Sequence, residues 1–537
     1  MDKNQSFELY QAPVMAQQDE RGILTHHTRD EVDMARLGKK QVLKRNFGFM
    51  SMLGFSCTMM VTWEAILIVF LDGFKNGGPA GLVYGYLVVW FGATCVFITM
   101  AELSSMAPTS GGQYHWVSML APQSSRKFLS FLTGWLTATG WQASVASGGY
   151  LSGTLIQGMI VLNNPQYDPQ RWQGTLLLWA VVFVAVFINT IISNLLPMLE
   201  GLILIIHVLG FFAIMIPLVY MSSHGSTSSV FTTFVDGGGW GNQGLSFWVG
   251  IIGNVFAFLG SDGTIHMAEE IQNASTIVPY SLLASITLNG FLGFGMLIAV
   301  LFCLGDLDAA ENSPTGYPFM EIFMQATRSA AGSSVMITIV TILQICATIA
   351  CLAGSSRMTW SFARDHGLPG WRILSRVDPR TSIPTASVAF TTTIACLLGL
   401  INIGSTNAFN DVISLTVGAL YFSYLICSVL LLWRRCTGGI APSYDALQQS
   451  QHSGEVRLAW GPWKIPGWAG IAVNICGIVY MTIILFFSFW PASKPATAAN
   501  MNYSVLVLGS VVIFCVVYYV TMAHRMYQGP LIERHEL

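Results

Sequence analysis

Of the 537 residues, 53% are hydrophobic and only 10% are charged, and the formal net charge is −2. A soluble domain carries about 25% charged residues, so this chain cannot cover itself with a hydrated surface, and so small a net charge offers nothing to nucleic acid. All of the ten cysteines except Cys436 fall inside apolar runs, and the ten histidines make neither an HxxxH nor an HExxH spacing, so no disulfide framework, metal site or cofactor is implied.

In chain order, residues 1–45 are polar and lack the apolar core of a signal peptide; they read as a disordered cytosolic tail. Beyond them, apolar runs long enough to cross a bilayer as helices predict twelve spans. They lie at 47–71, 80–106, 129–158, 174–194, 197–222, 246–264, 280–304, 334–358, 385–403, 407–433, 467–490 and 503–525. The chain thus divides into a ten-helix transport core at 46–435, a cytosolic loop at 436–465, the eleventh and twelfth helices within 466–526, and a cytosolic tail at 527–537. Cytoplasmic loops hold the excess of lysine and arginine in membrane proteins. With the first residue inside, Lys75, Arg171, Arg328 and Lys494 fall outside, and the other 21 of the 25 basic residues fall inside. A missed span would have scrambled this alternation, so both termini are expected in the cytosol.

Spans one and six carry mid-membrane acids, Glu64 and Asp262. An ionisable side chain at such depth is expensive and generally faces a partner or a water-filled path. In the sixth span, Phe258 and Leu259 are followed by Gly260, Ser261, Asp262 and Gly263. The glycines can adopt conformations that end a helix, and Ser261 and Asp262 compete for backbone hydrogen bonds. Irregular backbone inside a membrane is tolerated only where it lines a cavity or is buried in protein. The alternative is that the two glycines merely allow close helix packing. The first span has no such breaker around Thr62 and Trp63. Acids in spans one and six suggest two inverted five-helix repeats, with the binding site where the two broken helices meet.

Three motifs now resemble a known family. "AELSSMAPTSGGQYHWVS" from Ala101, "GSDGTIHMAEEIQNASTIVP" from Gly260 and "SSRMTWSFARDHGLPGW" from Ser355 occur in the order found in amino acid–polyamine–organocation transporters, especially their fungal amino acid and choline branch. The resemblance implies an all-α membrane protein with a leucine-transporter-like fold of five plus five helices and two C-terminal helices. It implies secondary active transport of a small amine-bearing solute such as an amino acid, γ-aminobutyrate or choline, by alternating access. One departure stands out: no glycine lies between Gly54 and Gly73, where many bacterial members expose backbone amides to a substrate carboxylate. Glu64 offers a negative charge there instead, which suits a cationic head.

The solute site is therefore expected between Thr62–Glu64 and Phe258–Asp262, including Trp63, Leu259, Gly260 and Ser261, walled by Trp141 and Gln142, with Trp360 as a further candidate aromatic wall. Glu64 reads alternatively as a structural hydrogen-bond donor, and Asp262 as a cap for the broken backbone. His207 is the one histidine, lysine or arginine well inside the fifth span, so it or Glu64 is the candidate carrier of a coupling proton. A satisfied core histidine is the plainer reading. Glu269 and Glu270 are expected to pair with Arg357 and Arg364 as a cytoplasmic gate. Expected partners are thus the amine solute, the proton and the bilayer. The plasma membrane is the expected location, with the vacuole or another endomembrane as alternatives. An exporter of an amine-containing fungal metabolite and a solute sensor without flux fit the same sequence; a membrane-embedded enzyme lacks the clustered histidines or carboxylates it would need.

Overall fold

The computed structural model describes residues 29–443, 458–498 and 500–532, and it is nearly all helical. The only strands among the described residues, β1 (Ile440–Ala441) and β2 (Leu458–Ala459), pair in parallel across the 436–465 loop. Residues 444–457 of that loop lie outside the described residues.

Among the described residues, eleven helices are long and apolar enough to cross a membrane. They include Phe49–Ile68, Gly78–Met106, Arg126–Asn163, Ser193–Met221, Ala274–Phe302 and Ala330–Arg364. The sixth expected span is not among them, because it is divided into short pieces: Gln243–Gly250, Ile252–Phe256 and Gly263–His266. Residues 257–262 between the last two pieces are not helical, and Gly260 has φ 103°. Only glycine enters that region without steric cost. The first span also divides, into Phe49–Met60 (α1) and Thr62–Ile68 (α2), with Val61 between them at φ 38°, ψ 46°. A β-branched residue in the left-handed region is an outlier. The structure therefore places a break in the first span where the sequence shows no breaker, and each five-span half opens on a divided helix.

Spans three and eight are longer than the sequence suggests. Arg126–Asn163 (α3) and Ala330–Arg364 (α4) cross the molecule side by side, and α4 runs on past the expected end at 358, so that both Arg357 and Arg364 project from helix. The fifth span, Leu196–Met221 (α5), packs along α1 so closely that a Cβ at Gly54 would overlap the Glu200 carbonyl oxygen. Such small-residue contacts are how membrane helices approach without a hydrophobic driving force.

The expected disordered tail is corrected for residues 29–45, while residues 1–28 lie outside the described residues. Arg29–Arg36 is helical, and the Asp30 carboxylate accepts from the backbone N–H groups of Asn273 (2.7 Å) and Ala274 (3.1 Å) at the start of span seven. Arg36 donates to the Met106 carbonyl at 2.8 Å, and Lys39 is buried. The segment is ordered because charged groups such as Asp30 and Arg36 find partners that the helix ends leave open. At the other terminus Tyr527 is also buried, against Phe131 and Phe362. Both described chain ends thus lie at one end of the bundle.

Candidate functional site

The two divided helices touch at their breaks. A Cβ on Gly260 would come within 2.8 Å of the Met59 carbonyl, and the Ser56 and Ser261 hydroxyls lie 2.8 Å apart. Ser285 of span seven closes this hydroxyl triangle, 2.8 Å from Ser56 and 3.0 Å from Ser261. Phe258 packs on Tyr86 at 5.1 Å between ring centroids, and Thr62, Glu64, Phe258 and Asp262 are all fully buried. Leu259 is buried beside them.

Around this junction the expected residues sort into two centres. On one side, Glu64 Oε1 lies 2.7 Å from His207 Nδ1. The Trp63 ring sits 5.8 Å from the imidazole and 6.3 Å from Phe211. Four buried polar atoms here have no hydrogen-bond partner in the structure: Thr62 Oγ1, Trp63 Nε1, Glu64 Oε2 and His207 Nε2. Buried polar groups are nearly always paired, so each orphan calls for an explanation. On the other side, Asp262 Oδ2 accepts from Gln113 Nε2 at 3.1 Å and from Trp141 Nε1 at 3.3 Å, while Asp262 Oδ1 is unpaired. His266 Nε2 is 3.9 Å from Asp262 Oδ2, and its Nδ1 lies 3.0 Å from the Ser110 carbonyl, which fixes Nδ1 as the donor.

Two expected wall residues are elsewhere. Gln142 donates to the Thr359 and Thr391 hydroxyls at 3.0 and 3.2 Å, which ties α3 to spans eight and nine. Trp360 donates to the Ser375 carbonyl at 3.1 Å and lies under the Arg364 guanidinium, 4.3 Å from its ring centre. It belongs to the end that carries the termini. A one-residue step from Trp141 to Gln142 turns the side chain by about 100° on a helix, so the two meet different neighbours.

That end is sealed by ion pairs. Arg364 grips Glu269 with two bonds, Nη1 to Oε2 at 3.0 Å and Nη2 to Oε1 at 2.8 Å, and the Ser110 N–H adds a third at 3.2 Å. Arg357 Nε donates to Glu270 Oε1 at 2.7 Å. Asp365 collects Lys39 Nζ (2.5 Å), the Tyr114 hydroxyl (2.7 Å) and the Leu531 N–H (2.9 Å). Burial alone would raise the Glu269 carboxyl, but the Arg364 guanidinium and its hydrogen bonds outweigh it, with Lys39 adding, and hold it below the usual glutamate value. Asp365 is held low in the same way, Lys39 and Arg364 together overcoming its burial. Lys39, Asp365 and Gln113 lie in segments already quoted or read as tail, but their partners are remote in sequence and nothing local marked them.

Comparison with known proteins gives this architecture a family. Residues 47–512 match the family model described as amino acid permease. The choline transporter of Saccharomyces cerevisiae is 30% identical over 89% of this chain and 81% of its own length. Amino-acid permease 2 of Neurospora crassa is 25% identical over 92% of the chain and 88% of its own length. An amino-acid permease of Arabidopsis thaliana is 26% identical over 93% and 96%, respectively. With two divided helices meeting at buried carboxylates inside a polytopic helical bundle, and with a match running from the first span into the last, the chain belongs to the amino acid permease family of the amino acid–polyamine–organocation superfamily.

Proposed function

We propose that this protein is a proton-driven secondary transporter of a small amine-bearing solute, with choline, γ-aminobutyrate and amino acids as the candidates. The observation that carries the reading is the pairing of Glu64 with His207 beside the first break, together with four unpaired polar atoms. A carboxylate and an imidazole joined by one short hydrogen bond can hold or pass a single proton, and the free edges of both are available to a ligand. A cationic head meets Glu64 Oε2, and the Trp63 face adds cation–π attraction. The Thr62 hydroxyl suits the alcohol of choline. A zwitterion needs its carboxylate met as well, and the backbone at Ser261–Asp262 can supply N–H donors there, the Gly263 N–H being held by the Gly260 carbonyl at 2.9 Å.

Alternating access then follows from the two breaks. Val61 and the 257–262 stretch allow α1 and the Gly263–His266 piece to move as units. The Glu269–Arg364 and Glu270–Arg357 pairs act as the gate on the cytosolic side, and the plasma membrane is the expected site of action. The naming of the family relatives, a choline transporter among them, supports the amine class.

The test is reconstitution into liposomes with an imposed pH gradient. Radiolabelled choline, γ-aminobutyrate and a panel of amino acids are offered singly, and one or more should accumulate and be lost on adding a protonophore. Full dependence on sodium with no protonophore response would remove the proton from the scheme. Specific binding without accumulation in either orientation would leave a sensor instead.

A further inference from the structure

Among the described acidic residues with unpaired buried oxygens, Glu200 is set apart, because both of its carboxyl oxygens lack a partner. It lies in the second turn of α5, fully buried, where α1 packs against it through Gly54. The Thr58 hydroxyl of α1 faces the carboxyl but already donates its proton to the Gly54 carbonyl at 2.8 Å. While that bond holds, Thr58 offers Glu200 a lone pair and no proton. The other titratable groups facing it are the thiols of Cys346 and Cys351 on α4. His207 is seven residues further along α5, on the same face and about 10.5 Å away by helical rise.

An ionised carboxylate with no positive partner and no donor is too costly to bury. The neutral acid is not: its O–H can point at the free lone pair of Thr58. We propose that Glu200 is a second proton-carrying residue, protonated while α1 is packed against α5 and deprotonated when α1 swings away about Val61. On that movement water reaches the carboxyl from the end bearing the termini. Its O–H bond breaks, the proton passes to water, and the carboxylate left behind is solvated and resists repacking of α1. Glu200 thereby ties release of a proton on one side of the membrane to opening on that side. This deepens the proton-driven reading by adding an exit station to the Glu64–His207 pair, and it rests on that reading only for its role in transport.

The test reads the carboxyl directly. Infrared difference spectra of the purified protein in lipid, recorded between about pH 6 and about pH 9, the range in which a buried glutamate titrates, should show loss of a protonated-carboxyl band. Glu200→Gln, an isostere of the neutral acid, should lack that band. Glu200→Asp should retain it at a shifted frequency, which covers the case in which the glutamine variant does not fold. Spin labels at Met50 on α1 and Ile373 beyond α4, with exposed Cys436 and Cys476 replaced by serine, should move apart at high pH in the parent protein. In Glu200→Gln their separation should not change with pH. A Glu200→Gln protein whose spectra and distances follow pH as the parent does overturns the proposal. Sodium-driven transport by a protein that keeps the Glu200-dependent band would overturn the proton-driven reading and leave Glu200 as a titrating hinge lock.

Discussion

Glu64 draws its importance from the oxygen that His207 does not use. Oε1 is committed to the imidazole at 2.7 Å, while Oε2 is buried and unpaired. Replacing it with glutamine keeps the shape and removes the charge. Glu64→Gln should raise the half-saturation concentration more than tenfold, about 1.4 kcal/mol or more, in a flux assay with surface expression controlled; an unchanged value would take Glu64 out of the site. His207→Gln should abolish accumulation against a gradient yet spare solute exchange, since exchange needs no net proton movement. At the sealed end, the lowered Glu269 carboxyl makes a pH-dependent contribution. Its folded value lies below the ordinary 4.5, so its stabilisation is complete above about that pH and is lost as pH falls through the lower folded value. Glu269→Gln removes the carboxylate that both short Arg364 bonds reach, at a cost of about 3–5 kcal/mol. Thermal unfolding scanned against pH should show a lower midpoint at neutral pH and a weaker acid-side decline than in the parent.

At the scale of elements, the two breaks differ in how openly the sequence announces them. Gly260 has φ 103°, and a side chain there would also press on the Met59 carbonyl at 2.8 Å. Gly260→Ala is expected to cost about 1–3 kcal/mol from backbone strain alone, visible as a lower thermal midpoint and reduced transport. The glycine–acid pattern made this break legible from composition. Val61 gave no such signal, because nothing in a valine favours the left-handed region. The neighbours must hold it there, with α1 fixed by the Ser56–Ser261–Ser285 hydroxyls and by its contact with Glu200. The same reason explains which site residues were legible. Glu64, Asp262 and the Glu–Arg sets stand out as charges in apolar or ordered motifs. Gln142 turning away, Trp360 at the sealed end and Gln113 reaching Asp262 depend on helix phase and long-range contacts that no local pattern encodes.

For the whole molecule, the spacing of apolar runs and the uneven spread of lysine and arginine gave a topology that a simple labelling experiment checks. A cysteine in place of exposed Ser223 should react with an impermeant thiol reagent on intact cells, whereas native Cys436, exposed near the opposite end, should react only after permeabilisation. The reverse pattern would invert the topology. Where patterning failed was at the ends, since residues 29–45 are polar enough to pass for a free tail yet dock on Asp365, Asn273 and Met106. Lys39 from one terminus and Leu531 from the other meet at the single carboxylate of Asp365. Any state that opens this end by breaking up that junction also removes one hold on each terminus. Binding free energies are reciprocal, so a cellular protein that grips a loosened terminus favours the open state by the same factor by which opening favours its grip. A grip on either tail would on that coupling bias how readily this end opens.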